Sequence, residues 1–357
     1  MNRAGSSQGA LDAMLLKRFA KLAIIAAFCV AGAGIAVLSE RQSQSVRFES
    51  TRLFPGLEAQ LGNVQQIVLT AGRGLRGPEE IVLSRRAEGG FGVDARGGYP
   101  ANPRLVEKFL SGMARLSAYE KRAADEKFHA SLGLVAPEKE GSALRIALRD
   151  GKGKVLAALL AGKIPEQVVD VDGQGLIYAR RDGEVQAYLA RGSFPLARNA
   201  IDYLDPVFLS LKPEDIARVT LWAGTDHPVR LIRDKGASDF ALQDMPAGRA
   251  ARQAQVNAVA HALGMAGFDD VAPETAFSFP SGGPRVELAT YDGVALSLAL
   301  AADAGFLWAR VEAQGEGARA DAVNKRVAGW IYRLPSALGA QLVQSMDLLT
   351  EPVAGPR

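Results

Sequence analysis

The stretch LRIALRDGKGKVLAALL at residues 144–160 decides the fold. Two apolar runs, at 144–148 and 155–160, flank the sequence DGKG at 150–153, which is typical of a tight turn. A connection this short joins antiparallel strands, because parallel strands need a crossover of roughly a dozen residues or more. The stretch therefore predicts a β-hairpin and, with it, an antiparallel sheet.

The regions on either side carry the same strand signals. Residues 175–189 predict a second hairpin, with Asp182-Gly183 in its turn. Apolar and β-branched residues between 67 and 95 alternate with polar residues and glycine, which predicts a meander of strands.

Helices are expected between these strand regions. Asn102 followed by Pro103 is the expected start of a helix, and apolar positions then recur every three or four residues to about Tyr119. Shorter helices are expected at 123–132 and at 200–211.

The second half of the chain repeats this order of elements. The sequence VTLWAG at 219–224 aligns with IVLTAG at 67–72, and LWAR at 307–310 aligns with IYAR at 177–180. A helix expected at 250–265 corresponds to the earlier long helix. The matched order indicates an internal duplication whose second copy has lost loop residues.

The uncharged run LAIIAAFCVAGAGIAVL at 22–38 predicts a segment that anchors the chain in the membrane bilayer. At about 1.5 Å per residue it approaches the roughly 30 Å of a hydrocarbon core. Lys17, Arg18 and Lys21 precede it and only Arg41 follows closely, which places the N-terminus in the cytoplasm. A cleaved signal peptide is the alternative, because a basic region, an apolar core and small residues are also its marks.

These signals together predict an α+β fold: an N-terminal transmembrane helix, then two similar units, each a mainly antiparallel sheet with a long helix packed on one face. In chain order the predicted parts are a disordered cytoplasmic tail at 1–13, a transmembrane anchor at 14–39, a spacer at 40–52, a first unit at 53–211, a second unit at 212–350 and a tail at 351–357.

Charge and cysteine content exclude several classes of function. Residues 1–52 carry four excess positive charges, so the total of +3 leaves the remainder nearly neutral, without the electrostatic footprint of a nucleic-acid-binding protein. The single cysteine, Cys29, lies in the apolar run, so neither a disulfide framework nor a thiolate metal site is expected beyond it.

The segment LFPGL at 53–57 places large apolar residues around a Pro-Gly turn. Such a segment either seals the entry to the first unit or docks a partner. The residues that would dock a partner are Leu53, Phe54, Pro55 and Leu57.

The order of several motifs resembles one family. These motifs are LFPGL at 53–57, GGYPANPRLVEKFL at 97–110, LGL at 132–134 and IALRDGKGKVLAALLAGK at 146–163. Together they resemble the bacterial domain-of-unknown-function family 4340, well over 53–211 and more weakly beyond. The resemblance implies a single-pass, extracytoplasmic protein, often encoded beside gliding-type ABC transporter components. It implies no catalytic residue.

The sequence carries no catalytic or ligand-binding motif. The histidines, His129, His227 and His261, are too scattered for a metal cluster, and His129 is expected to be solvated on a charged helix. The loop at 169–175 lacks ligands that a calcium loop needs, and no phosphate-binding glycine motif is present. No cofactor and no metal is therefore expected.

Two functions remain open at this point. The first is a non-enzymatic, membrane-anchored accessory or scaffolding protein of an ABC-type transport system, with its body periplasmic or otherwise extracytoplasmic. The alternative is an envelope glycan-binding protein or hydrolase, with Asp170 and Asp172 as candidate acids. Trp222, Trp308 and Trp330 are expected in the core, with a shared aromatic groove for a glycan as the alternative.

Overall fold

The structure, a computed structural model, describes residues 51–73, 76–165, 175–223 and 227–353. None of the helices in these ranges is long and apolar enough to cross a membrane. The predicted transmembrane helix therefore has no counterpart among the described helices, and its segment at 14–39 lies outside the described residues, as does the tail at 1–13.

The first half of the described chain forms one large sheet. Its ten strands are β1 (Thr51–Arg52), β2 (Gln66–Gly72), β3 (Pro78–Arg85), β4 (Phe91–Val93), β5 (Tyr99–Pro100), β6 (Ser117–Lys121), β7 (Leu144–Arg149), β8 (Val155–Ala161), β9 (Leu176–Arg181) and β10 (Tyr188–Arg191). Their order in space is β1-β6-β10-β9-β8-β7-β2-β3-β4-β5, with antiparallel pairing from β6 to β5. The predicted hairpin at 144–160 is confirmed as β7 and β8.

The second half forms an eight-stranded sheet and two small ribbons. The strands are β11 (Val207–Ser210), β12 (Ile216–Trp222), β13 (Val229–Ile232), β14 (Ala241–Leu242), β15 (Arg249–Ala251), β16 (Met265–Gly267), β17 (Asp270–Pro273), β18 (Arg285–Thr290), β19 (Ala295–Asp303), β20 (Phe306–Gln314), β21 (Trp330–Arg333) and β22 (Thr350–Pro352). The sheet order is β14-β13-β12-β18-β19-β20-β21-β17, while β11 pairs with β16 and β15 pairs with β22.

The two sheets share one strand order. Read from its β4 side, the first sheet runs β4-β3-β2-β7-β8-β9-β10-β6, and the second sheet repeats that run strand for strand from β14 to β17. A shared order is what a duplication produces, and the aligned segments at 67–72 and 219–224 lie in β2 and β12 or directly after them. The duplication itself and the boundary at 211 and 212 stay predictions.

The predicted fold class is wrong, because the chain is mainly antiparallel sheet with few short helices. The helices are α1 (Pro103–Arg115), α2 (His129–Leu132), α3 (Gln253–Gly264), α4 (Ala318–Val327), α5 (Ser336–Leu342) and α6 (Met346–Leu349). The longest of these described helices, α1, has 13 residues, and no long helix is packed along either sheet. The architecture is therefore built by strands, with the helices filling short connections.

Local chemistry explains which helix predictions fail. The Asn102 side chain accepts hydrogen bonds from the backbone N–H groups of Arg104 and Leu105, so the predicted start of α1 is confirmed. The helix predicted at 200–211 is wrong, because only one 3-10 turn forms before the chain extends into β11. The chain is already extended at Leu204, and Pro206 disfavours a helical conformation at Asp205, so the turn does not continue as a helix.

An aromatic cluster joins the two halves. Tyr99 from the first half makes edge contacts with Trp330 and Phe268 from the second, at ring-centroid distances of 5.0 and 5.6 Å. Tyr332 stacks on Phe208 at 4.6 Å and lies 6.2 Å from Tyr99. Burial raises the pKa of Tyr332, and the neighbouring Tyr99 raises it further, so this phenol stays neutral in the cluster.

A charged pair and a glycine complete this junction. Arg96 in the first half binds the carboxylate of Asp270 in the second through two nitrogens, at 2.5 and 3.2 Å. Beside this pair, Gly97 has a positive φ of 64°, and a Cβ there would lie 2.5 Å from Cγ of Pro273. The close approach of the halves therefore depends on a residue without a side chain.

Substitution of Gly97 by alanine tests this close approach. Gly98, with φ 80° but nothing within 4 Å of its Cβ position, is the matched control. Gly98→Ala should cost only the left-handed strain of about 1 kcal/mol, whereas Gly97→Ala should cost a further 1–3 kcal/mol, roughly, because it overpacks the junction. Urea unfolding of the two variants measures the difference, and equal losses would show that Gly97 does not hold the halves together.

Candidate functional site

The candidate site lies on one of two equivalent sheet faces. In the first sheet, buried side chains such as Ile67, Leu69 and Ile146 share one face, so the residues between them face the opposite way. We call this opposite side the outer face of a sheet. On the first sheet one row of its cross-strand neighbours is Thr70, Arg145, Leu160 and Arg180.

The chain covers this outer face with its own segment at 122–143, between β6 and β7. Leu160 is fully buried there, in a small apolar cluster to which the segment contributes several residues. The cluster consists of Ala123, Leu134, Ala136, Ala143, Leu160 and Ala187, with Leu132 and Tyr178 packed against it. The outer face of the first sheet is thus a second core.

The covering segment also binds both arginines of the row. Glu138 accepts a hydrogen bond of 2.5 Å from Nη1 of Arg145, and Nε of Arg145 lies 3.3 Å from the Asp182 carboxylate. The Leu134 carbonyl accepts from Nε of Arg180 at 3.4 Å. The covering segment therefore contacts the two arginines through a carboxylate and a main-chain carbonyl, while Nε of Arg145 is buried without a hydrogen-bond partner among the described residues.

The second sheet has an equivalent row. Trp222, Arg285, Ala299 and Arg310 are successive cross-strand neighbours in β12, β18, β19 and β20, the strands that correspond to β2, β7, β8 and β9. Both arginines are retained, while tryptophan replaces Thr70 and alanine replaces Leu160.

The cover over this second outer face is half as long. The corresponding segment, at 274–284 between β17 and β18, reaches Arg310, whose Nη1 donates to Glu274 at 3.1 Å and whose guanidinium lies 5.4 Å from the Phe279 ring. Beyond it the sheet carries a shallow groove of about 310 Å³. The groove is lined by Arg218, Thr220, Glu287, Leu288, Ala289, Ala295, Leu296, Ser297 and Gln314.

We call this surface the open face: the groove together with Trp222, Arg285, Phe306 and, at the edge of the short cover, Arg310. Arginines lie over its aromatic rings. Arg285 lies 4.1 Å from the Trp222 ring, and Arg333 lies 4.8 Å from the ring of Phe306, which is 49% exposed. Each pair gains a cation–π attraction while the arginine stem shields the ring from water.

Several hydrogen-bond donors on the open face have no acceptor. The indole Nε1 atoms of Trp222 and Trp308 are buried without a hydrogen-bond partner among the described residues, and so is Nε of Arg310. Arg218 is exposed, and its guanidinium has no ion-pair partner in the described chain. Among these donors, the exposed Arg218 guanidinium is the one that a ligand with an acceptor can reach.

The carboxylates of the open face are already paired. Glu287 accepts a hydrogen bond from Nε of Arg285 at 3.0 Å, and Glu312 lies 3.4 Å from Nε of Arg310. Within the described ranges no group of three or more His, Cys, Asp or Glu side chains could hold a metal ion. The carboxylates of this face are therefore held in ion pairs with its own arginines.

The structure places the predicted LFPGL docking segment largely inside the protein. Leu53 and Leu57 are 1% and 2% exposed, and the backbone N–H of Leu53 donates to the Leu116 carbonyl at 2.8 Å. Phe54 is half-buried and Pro55 is exposed. Leu53 and Leu57 thus seal the first half, while docking through Phe54 and Pro55 stays a prediction.

The three histidines are far from forming one site. His129 is 4% exposed and its Nε2 lies 2.9 Å from the Val185 carbonyl, so the expected solvated role is wrong. His261 is exposed on α3, and His227 lines a separate cavity of about 580 Å³. His129 lies in the covering segment itself, on the short helix α2, and its ring is held by the Val185 carbonyl.

The remaining sequence candidates lie in different parts of the chain. Asp170 and Asp172 lie outside the described residues. Trp222 and Trp308 are half-buried on the second outer face rather than in the core, and Trp330 belongs to the junction with Tyr99. The open face was missed from sequence, although the shortened spacing of the second copy was its signal.

The fold and the open face define a class: a two-sheet antiparallel protein with an uncovered, arginine-rich sheet surface. The sequence model of the family described as Domain of unknown function (DUF4340) matches residues 93–280, more than half of the chain, and the chain belongs to this family. The match spans the whole covering segment of the first sheet and most of the shorter one of the second. No curated protein matches the chain, and no solved structure does.

Proposed function

We propose that this chain is a non-enzymatic accessory or scaffolding protein, and that a partner protein docks on its open face. One observation carries the proposal. Equivalent rows of side chains lie on both sheets, and the chain buries the first row with residues 122–143 but leaves the second under a segment half that length. A partner supplies the missing cover.

The composition of the open face supports protein binding. Its cations are arginines, and its apolar residues include tryptophan and phenylalanine. Arginine and aromatic residues are enriched in the hot spots of protein interfaces, where lysine and glutamate are depleted. An antiparallel sheet face that is exposed only to water usually carries polar side chains, so buried indole groups are not typical of it.

The sequence supports a location for this role. The apolar run at 22–38, with its basic flank, is the basis for proposing that the chain is held at the cytoplasmic membrane with its body outside the cytoplasm. The family resemblance is the basis for proposing that the partner is a subunit of an ABC-type transport system.

A glycan ligand is the less favoured occupant. Sugars bind aromatic rings by stacking on an open ring face. Here Arg285 lies over Trp222, and Arg310 lies over Phe279, so these ring faces are taken.

Site-specific photocrosslinking tests the docking proposal. A photoreactive amino acid replaces Ser297, which lines the groove on β19. The matched control replaces Val155, which is 49% exposed on β8, the equivalent strand of the first sheet. In intact cells the Ser297 probe should yield an adduct with a transporter subunit, and the Val155 probe should not. The absence of a protein adduct at Ser297 contradicts the proposal.

A fusion tests the proposed location. Alkaline phosphatase attached after Arg357 should be active, because the basic flank before residues 22–38 keeps only the N-terminus in the cytoplasm. The fusion should also stay with the membrane pellet after an alkaline wash. An inactive fusion at normal expression rules out the orientation, and release of a shortened soluble form indicates a cleaved signal peptide.

A further inference from the structure

We infer that the occupant of the open face is an extended, acidic polypeptide segment of the partner. This inference rests on the proposed function and adds the chemistry of the ligand. The first sheet shows how this fold covers such a face, and the second sheet shows which groups are still unpaired.

The first group that the occupant of the open face must supply is a carboxylate. On the first sheet Arg145 receives its carboxylate from the covering segment, through Glu138. Arg285 occupies the equivalent position and donates only through Nε to Glu287 on its own strand. A guanidinium has five N–H donors in a planar fork, so the outer edge of Arg285 is still able to bind a second carboxylate.

The second requirement is an exposed main chain. The cover of the first sheet offers the Leu134 carbonyl to Arg180, which a regular helix could not do from its interior. That cover contains only the four-residue helix α2 and short 3-10 turns. It also packs closely, since a Cβ at Gly141 would lie 1.9 Å from the Val135 carbonyl oxygen. An occupant of the same kind is extended rather than helical.

Charge supplies the third argument. Arg218 is exposed and lines the groove, and its guanidinium has no partner among the described residues. A ligand that brings only hydroxyl groups would leave Arg218 without a counter-ion. A carboxylate satisfies both the charge and the N–H donors of Arg218, and it binds the arginine fork through two oxygens.

Charge variants combined with the Ser297 crosslink test this chemistry in the full-length protein in its membrane. Arg218→Gln removes an exposed cation that pairs with nothing in the described chain, and Arg285→Lys keeps the charge but loses the fork. Arg104→Gln, at an exposed arginine on α1, is the control. Arg218→Gln and Arg285→Lys should each lower the adduct yield roughly tenfold, because a charge-assisted hydrogen bond is lost, and Arg104→Gln should not. Thermal unfolding confirms that each variant is folded.

The outcomes separate this inference from the proposed function. Mass spectrometry of the adduct should place the crosslink in a segment of the partner that is rich in Asp and Glu and outside any long helix. Undiminished yields in both variants, or a crosslink to a neutral or helical segment, would leave docking intact and overturn the acidic chemistry. A glycan adduct, or no adduct in any background, overturns both.

Discussion

The structure depends on how the two faces of each antiparallel sheet are removed from water. Strand alternation sends side chains to both sides, so an apolar core on one side leaves a second surface that must be polar, covered or bound. Residues 122–143 cover the second surface of the first sheet, where Leu160 and Leu134 become fully buried. The second sheet has the same strand order, and its shorter segment at 274–284 leaves much of that surface bare. Arginines lying over Trp222 and Phe306 shield the rings in the absence of a cover.

The junction between the halves holds the covered first sheet next to the partly uncovered second sheet. Tyr99 packs among Phe268, Trp330 and Tyr332, and Arg96 binds Asp270 beside them. Aromatic contacts of this kind add about 0.5–1.5 kcal/mol each beyond the area they bury, so the cluster holds the halves together. One half is thereby closed on both faces, and it supports another half that keeps one face open.

Local signals predicted the strands and turns well. The sequence predicted the turn at 150–153 and the helix cap at Asn102, because turn and cap chemistry act over a few residues. It also predicted the order of elements in the second half. The helix predicted at 200–211 is wrong. That prediction gave the apolar pattern more weight than Pro206, which disfavours a helical conformation at Asp205. Helices form close to the predicted positions, as α1 (Pro103–Arg115) and α3 (Gln253–Gly264), but neither is long or packed along a sheet, because apolar spacing shows which residues are buried and not what covers them.

The open face required information that no single strand contains. Trp222 reads as a core residue from its apolar neighbours, and only the register across β12, β18, β19 and β20 shows that it faces outward beside Arg285. Whether that side is covered depends in turn on the length of a loop between two other strands. His129 shows the reverse case, since a residue in a charged stretch is buried by contacts with the Val185 carbonyl far along the chain.

Hydroxyl-radical footprinting of the full chain, in its native membranes and after purification, tests most directly whether the open face is covered by a partner. Phe306 on the open face and Phe128 on the first half are similarly exposed, at 49% and 52%, and therefore form a matched pair. If a partner covers the open face, oxidation of Phe306 falls several-fold in membranes while oxidation of Phe128 stays the same. Equal oxidation of Phe306 in both preparations would contradict a docking role for this face.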